Sequence, residues 1–136
     1  MNDKVPLDFE TISRAIKRLN LPLVDCVVGI AEDGTIPAVL LAHQLERPLR
    51  LLHINYRAPD NSPQHPAPAL LMDVPPLPDG AHIILLVDDV SVSGQTLALA
   101  RGLLGQHEVV TFTLKGQADI MLFPEIASCV NWPWKA

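Results

Sequence analysis

Ile83-Ile84-Leu85-Leu86-Val87-Asp88-Asp89-Val90-Ser91-Val92-Ser93-Gly94-Gln95-Thr96 decides the fold. Its first part, taken with His82, is a continuous apolar run, which predicts a strand over His82–Val87 buried on both faces, as in a parallel sheet. The strand ends in two acids. Ser91 to Gly94 then turn the chain into a helix marked by Leu97, Ala100 and Leu104. A helix starting there presents unpaired backbone N–H groups and the positive end of its dipole, both favourable to an anion. Gly94 lets the backbone approach closely, and the hydroxyls of Ser91, Ser93 and Thr96 add donors. The composition is that of a phosphate cradle. Asp88 and Asp89 would repel that phosphate if they faced it, so they suit neutral hydroxyls or a cation. A sugar phosphate meets both demands. The plainer alternative is a solvated acid pair with serines that only cap the helix. The run is not an ATP-binding loop, because Gly-Lys-Ser/Thr is absent, and no GxGxxG occurs.

Outward from this stretch, strands and helices alternate. Phe9, Ile12, Ile16 and Leu19 recur at helical spacing behind Asp8, a capping residue, which predicts a helix over Asp8–Leu19. Val24 to Ile30 reads as a second buried strand. The turn Ala31-Glu32-Asp33-Gly34 follows, then a helix carrying Ile36, Val39, Leu40 and His43 with Pro37 in its tolerant first turn. Leu49–Asn55 and Glu108–Leu114 read as further strands. The tail from Lys115 mixes a short helical piece, a fifth strand at Ala127–Val130 and the terminal Asn131-Trp132-Pro133-Trp134. Alternation of this kind gives an α/β sheet. Seven of the thirteen prolines fall between Asn55 and Gly80, where regular structure is therefore not expected. Such a segment is a lid, a binding loop or a disordered insert.

The 136 residues suit one domain, 1–136, with enough apolar sequence (49%) to build a core. A net charge of −5 lacks the basic footprint of a nucleic-acid binder, yet leaves room for a small phosphorylated ligand. No apolar run approaches the roughly 20 residues that span a bilayer, and no signal-peptide pattern opens the chain. A cytoplasmic protein is expected, with Cys26 and Cys129 as buried reduced thiols. The five histidines show no metal-ligand spacing.

The run Ile83–Thr96 resembles the phosphoribosyl-diphosphate signature of type I phosphoribosyltransferases: an apolar strand, two acids, three variable positions, then Thr/Ser-Gly-x-Thr. Val27 to Ile30, the turn after it and Ile36 to Ala42 resemble the family's pyrophosphate-loop strand and helix. The proline-rich segment, about 56–80, stands where the family has its flexible catalytic loop. Thr113-Leu114-Lys115 and Asn131 to Trp134 resemble base-binding elements of the xanthine–guanine branch. The resemblance implies a central, mostly parallel sheet flanked by helices, with a short C-terminal hood. It implies transfer of a 5-phosphoribosyl group from phosphoribosyl diphosphate to a purine-like base, releasing pyrophosphate, and often a homodimer. Asp88 and Asp89 would hold the ribose hydroxyls and take part in binding Mg²⁺, which is carried mainly by diphosphate and ribose oxygens. Ser91, Val92, Ser93, Gly94, Gln95 and Thr96 would hold the 5′-phosphate. Ala31, Glu32, Asp33 and Gly34 would form the pyrophosphate loop; Arg57, on the proline-rich segment, is a candidate catalytic clamp that could swing in to offset the acids of that loop. Lys115 would donate to an exocyclic oxygen of the base, and Trp132 or Trp134 would stack on it. As bland alternatives, Lys115 is a solvated strand end and the tryptophans cover the sheet edge.

Two positions depart from the family pattern. The pyrophosphate loop normally carries a basic residue, and here Glu32 and Asp33 reverse the charge. Like charges 4 Å apart cost about 4 kcal/mol at an effective dielectric of 20. A second Mg²⁺ on Glu32 or Asp33 would invert that penalty. Val92 stands where 6-oxopurine enzymes have an aspartate that handles a base proton, and valine does no acid–base work. These departures motivate a second hypothesis, a nucleotide sensor or regulator of the same fold that binds without turnover. A receiver-like phosphoacceptor pocket is a third, but its paired acids end the first strand, and Asp88-Asp89 comes too late in this chain.

Overall fold

Asp8 starts the first helix as its spacing predicts: its carboxylate accepts the Thr11 backbone N–H at 2.8 Å and caps α1 (Phe9–Arg18). Hydrogen bonding from Thr11, its side chain first and its backbone N–H second, holds the Asp8 carboxyl below its usual pKa. Asp8→Ala should lower the melting temperature by a few degrees at neutral pH, with the difference shrinking as acid protonates the cap; a thermal melt series across pH checks it.

The computed structural model describes residues 4–55, 67–127 and 129–135. In chain order they form β1 (Val5–Pro6), α1, β2 (Cys26–Ala31), α2 (Thr35–Leu45), β3 (Leu49–Asn55), β4 (Ala69–Leu70), β5 (Ile83–Ser91), α3 (Gln95–Leu103), β6 (Glu108–Gly116), β7 (Ile120–Met121) and β8 (Val130–Asn131). The main sheet has the order β4-β3-β2-β5-β6-β7. All neighbours in it pair in parallel except β4, which runs antiparallel on the edge of β3.

β2-α2-β3 winds one way from the centre and β5-α3-β6 the other. Right-handed crossovers then put α2 and α3 on opposite faces. The two cores record this. Val27, Leu85, Val87, Phe112 and Leu114 pack with α1 and α2, whereas Cys26, Val28, Ile30, Ile84 and Leu86 pack with Leu97, Ala100 and Leu104. Alternation along each strand sends neighbours to opposite layers. α2 is apolar almost all round, so its buried face, Pro37, Ala38, Leu41 and Ala42, is not the one marked by Ile36, Val39 and His43. Gly29 makes the strand–helix approach possible: a Cβ there would sit 2.5 Å from the Ala38 Cβ.

Several sequence expectations need correction. β5 does not stop at Val87 but runs to Ser91, so the acid pair lies within the strand. β6 likewise extends to Gly116 and includes Lys115. The described residues of the tail form no helix. Instead Asp119 accepts the Thr111 backbone N–H at 3.0 Å while its own N–H donates to Thr111 Oγ1 at 2.8 Å, which folds the chain directly into β7. The terminal strand is Val130–Asn131, and its partner is β1, a pairing with no local signal in the sequence. Cys26 is buried as expected, but Cys129 is exposed; both are free thiols. Of the proline-rich segment, residues 56–66, Arg57 among them, lie outside the described residues. The remainder rests on the sheet: Ala69–Leu70 pairs with β3, and Val74 and Leu77 pack on the second core.

Candidate active site

The winding reverses between β2 and β5, and a crevice opens beyond the carboxyl ends of such a strand pair. A cleft of about 1360 Å³ lies there. Two turns and the hood form its walls.

The first turn is Ala31–Gly34. The peptide joining Ala31 to Glu32 is cis. Gly34 N–H donates to the Ile30 carbonyl at 2.8 Å, folding the turn back onto its own strand. It also lies against β5: a Cβ on Gly34 would stand 2.6 Å from Ile30 O, 2.9 Å from Val87 O and 3.0 Å from Asp88 Cα. Glu32 and Asp33 are exposed and line the cleft.

The second wall is the end of β5 with the turn that follows it, Asp88 to Thr96. Asp88 and Asp89 are 8% and 6% exposed, and both border the cleft. Asp88 Oδ1 accepts the Asp89 N–H at 2.8 Å, and Asp89 Oδ1 accepts the Val90 N–H at 2.7 Å. One oxygen of each carboxylate is thus tied to the backbone, which fixes the pair. Burial, then the Asp89 charge, pushes the Asp88 carboxyl well above the usual range. Burial, then the charge of Asp33, also raises Asp89, although Lys135 opposes the rise. Perturbed carboxylates in a cleft mark functional sites. Downstream, Ser91, Val92, Ser93, Gly94 and Thr96 border the cleft, and Gln95 does not. Gly94 adopts φ +81° and leads into α3, whose first N–H, on Gln95, reaches Ser93 Oγ at 3.3 Å. The Val92 side chain is exposed at the tip.

The third wall is the hood, built from both ends of the chain. Val5 N–H donates to Cys129 O at 2.8 Å and Leu7 N–H to Asn131 O at 3.2 Å. Trp132 is buried and borders the cleft, as does Lys115 on β6. Trp134 lies behind, stacked on Trp132 with centroids 5.6 Å apart and planes 2° from parallel. Its indole Nε1 is buried without a hydrogen-bond partner.

Sequence reading missed Lys135. Its ammonium stands 3.3 Å from Asp33 Oδ2 and 3.7 Å from Asp89 Oδ2, joining the hood to both acidic turns. A cation one residue beyond Trp134 was the only available signal. Lys4, also on the cleft, was missed too.

The family model of the phosphoribosyl transferase domain matches residues 9–114. The chain belongs to this family. The match takes in both acidic turns and leaves the hood beyond its end. Among solved structures, a purine phosphoribosyltransferase from Pyrococcus horikoshii Ot3 superposes with a TM-score of 0.78 at 24% identity, over 98% of this chain and 95% of that one. A hypothetical protein from Neisseria gonorrhoeae with bound ppGpp gives 0.72 at 24% identity, over 100% and 91%. The Helicobacter pylori xanthine-guanine-hypoxanthine phosphoribosyltransferase gives 0.67 at 16% identity, over 98% and 93%. These likenesses establish a phosphoribosyltransferase fold with its mostly parallel sheet. No curated protein sequence matches the chain. No helix among the described residues is long and apolar enough to cross a membrane.

Proposed function

We propose that this phosphoribosyltransferase-family protein acts as a single domain that transfers a 5-phosphoribosyl group from phosphoribosyl diphosphate to a purine-like base, releasing pyrophosphate. The observation that carries the reading is the buried Asp88–Asp89 pair beside the Ser91–Thr96 turn on one cleft wall.

In this mechanism the carboxylate oxygens of Asp88 and Asp89 that are not tied to the backbone accept hydrogen bonds from the ribose 2′ and 3′ hydroxyls, Asp89 Oδ2 exchanging its contact with Lys135. Backbone N–H groups of the Ser91–Thr96 turn, with the hydroxyls and the α3 dipole, hold the 5′-phosphate. The ribose is then pinned at both ends, and C1 lies between the Ala31–Gly34 turn and the base. Trp132 offers its ring to the base, and Lys115 donates to an exocyclic oxygen. Catalysis comes from orientation and from charge stabilisation of an oxocarbenium-like centre near the carboxylates. Mg²⁺ fits this site, since two buried carboxylates that repel each other gain from a hard cation. Asp88 and Asp89 would help hold it, and it would supply charge neutralisation of the departing pyrophosphate. Among the described residues no group of three or more His, Cys, Asp or Glu forms a metal cage, so ligand oxygens complete its shell in this reading.

The test is incubation with phosphoribosyl diphosphate, Mg²⁺ and each common base, reading pyrophosphate release and nucleotide formation. Multiple turnovers with any base support transfer. Glu32, Asp33 and the exposed Val92 favour a second reading, a nucleotide sensor without turnover, and the fold shared with the ppGpp-bound Neisseria protein supplies a ligand class to try. Tight calorimetric binding of guanosine nucleotides with no pyrophosphate released for any base would decide for the sensor.

A further inference from the structure

The cleft is lined by four carboxylates, Glu32, Asp33, Asp88 and Asp89. Two of them, Asp33 and Asp89, share one cation, the Lys135 ammonium, at 3.3 and 3.7 Å. The placement is built. Lys135 N–H closes a turn onto the Trp132 carbonyl at 3.1 Å. Trp132 is itself buried and stacked on Trp134. The aromatic layer therefore sets where the lysine stem leaves the hood. At the other end, the Gly34 contacts with β5 fix the turn that carries Asp33.

We propose that Lys135 is the diphosphate-recognition residue of this site: its ammonium screens Asp33 and Asp89 in the free protein and binds the diphosphate of a phosphoribosyl ligand. The inference rests on the phosphoribosyl reading above and deepens it. A diphosphate on C1 has to lie near the Ala31–Gly34 turn once the ribose sits on Asp88 and Asp89. That turn offers carboxylates, so an unscreened site would repel the ligand. Lys135 is the side chain that contacts the acid of this turn and an acid of the ribose wall together, which places positive charge at their junction. A lysine suits the task as a compact point charge on a flexible stem, able to exchange a carboxylate for a phosphate oxygen without moving the hood.

Two ligands separate this role from a merely structural one: phosphoribosyl diphosphate with Mg²⁺, and ribose 5-phosphate, which lacks the diphosphate. Titration calorimetry on the full chain should show Lys135→Ala weakening the first on the order of tenfold or more, and the second by less than about twofold. Lys135→Arg should restore most of the difference. Tryptophan emission should stay that of the parent, because the hood keeps its stacked pair. Equal loss of both ligands would mean that Lys135 only braces the hood, and would overturn the proposal. Unchanged affinity for phosphoribosyl diphosphate would overturn it too, leaving the phosphoribosyl reading intact. If the parent protein bound neither compound, the phosphoribosyl reading itself would fail and the proposal with it.

Discussion

Replacing both Asp88 and Asp89 by asparagine is expected to weaken phosphoribosyl-diphosphate binding at least on the order of a hundredfold, while raising the melting temperature of the free protein at neutral pH. The two effects share one cause. A hydrogen bond to an ionised group contributes about 1.5–3 kcal/mol, and the ribose hydroxyls would lose two charged acceptors together. The backbone bonds from Asp89 N–H and Val90 N–H survive, since an amide oxygen accepts them equally well. What disappears in the free protein is the cost of burying two neighbouring carboxyls whose ionised forms repel each other. Both carboxyls are raised above their ordinary value of 3.8, burial being the first cause for each. A carboxyl with a raised folded-state pKa favours the fold fully only below its unfolded value and loses that contribution as pH rises through the folded one. At neutral pH the parent carries this loss and the double variant does not. The gain should therefore shrink as pH falls through the raised values of the folded pair, which takes up protons above 3.8, and be gone once the unfolded chain is protonated too. Each kcal/mol regained moves the midpoint by about 3–6 °C in a domain of this size. Calorimetric titration and melts across pH read both halves. Undiminished affinity would remove the acids from the ligand site. A lower melting temperature at neutral pH would show that they stabilise the empty fold.

How far the sequence reached follows from which interactions are local. The strand β5, the turn after it, the α3 positions Leu97 and Ala100 and the C-cap Leu104 were legible, because burial imprints a short-range pattern. The Asp8 cap was legible for the same reason. The acid pair was placed at the strand's end, although β5 continues beyond it: strand pairing with β6 through Ser91–Gly116 overrides the loss of hydrophobicity at Asp88. A C-terminal hood followed from the resemblance, but its pairing with the start of the chain could not be read. β1 and β8 are two-residue strands from opposite ends of the chain, and their pairing depends on a return path that only the completed sheet provides. Lys135 was missed with it. Its significance comes from Asp33 and Asp89, each far from it in sequence. Charge reversal in the first turn was visible, and the cation facing it was not.

Gly116→Ala should be the most disruptive single methyl in the chain. Gly116 ends β6 with φ +94°, a region that costs a residue bearing a Cβ about 1–3 kcal/mol. The added Cβ would also collide with Ser91 O and lie 2.8 Å from Ser91 N and 2.9 Å from Ser91 C. All three are backbone atoms of the neighbouring strand, so no side chain can swing away. Relief requires separating β5 from β6 where the Ser91–Thr96 turn begins, and overpacking of that kind adds another ~1–3 kcal/mol or more. The sum, roughly 2–6 kcal/mol, rivals the 5–15 kcal/mol that holds a typical domain together. A fall in melting temperature of about 10–20 °C is expected, together with weakened binding of ribose 5-phosphate in whatever folds, because Ser91 opens the turn proposed to hold the phosphate. Gly94→Ala is the control. Gly94 has φ +81°, but a Cβ there would meet nothing within 4 Å. It bears the dihedral cost alone, so its melting temperature should fall by only a few degrees. Equal losses in the two variants would mean that backbone conformation, and not the contact with Ser91, sets the need for glycine at Gly116. A larger loss at Gly116, with weakened ribose 5-phosphate binding beside it, would tie the register of β5 and β6 to the shape of the Ser91–Thr96 turn, and through it the sheet's central pairing to ligand affinity.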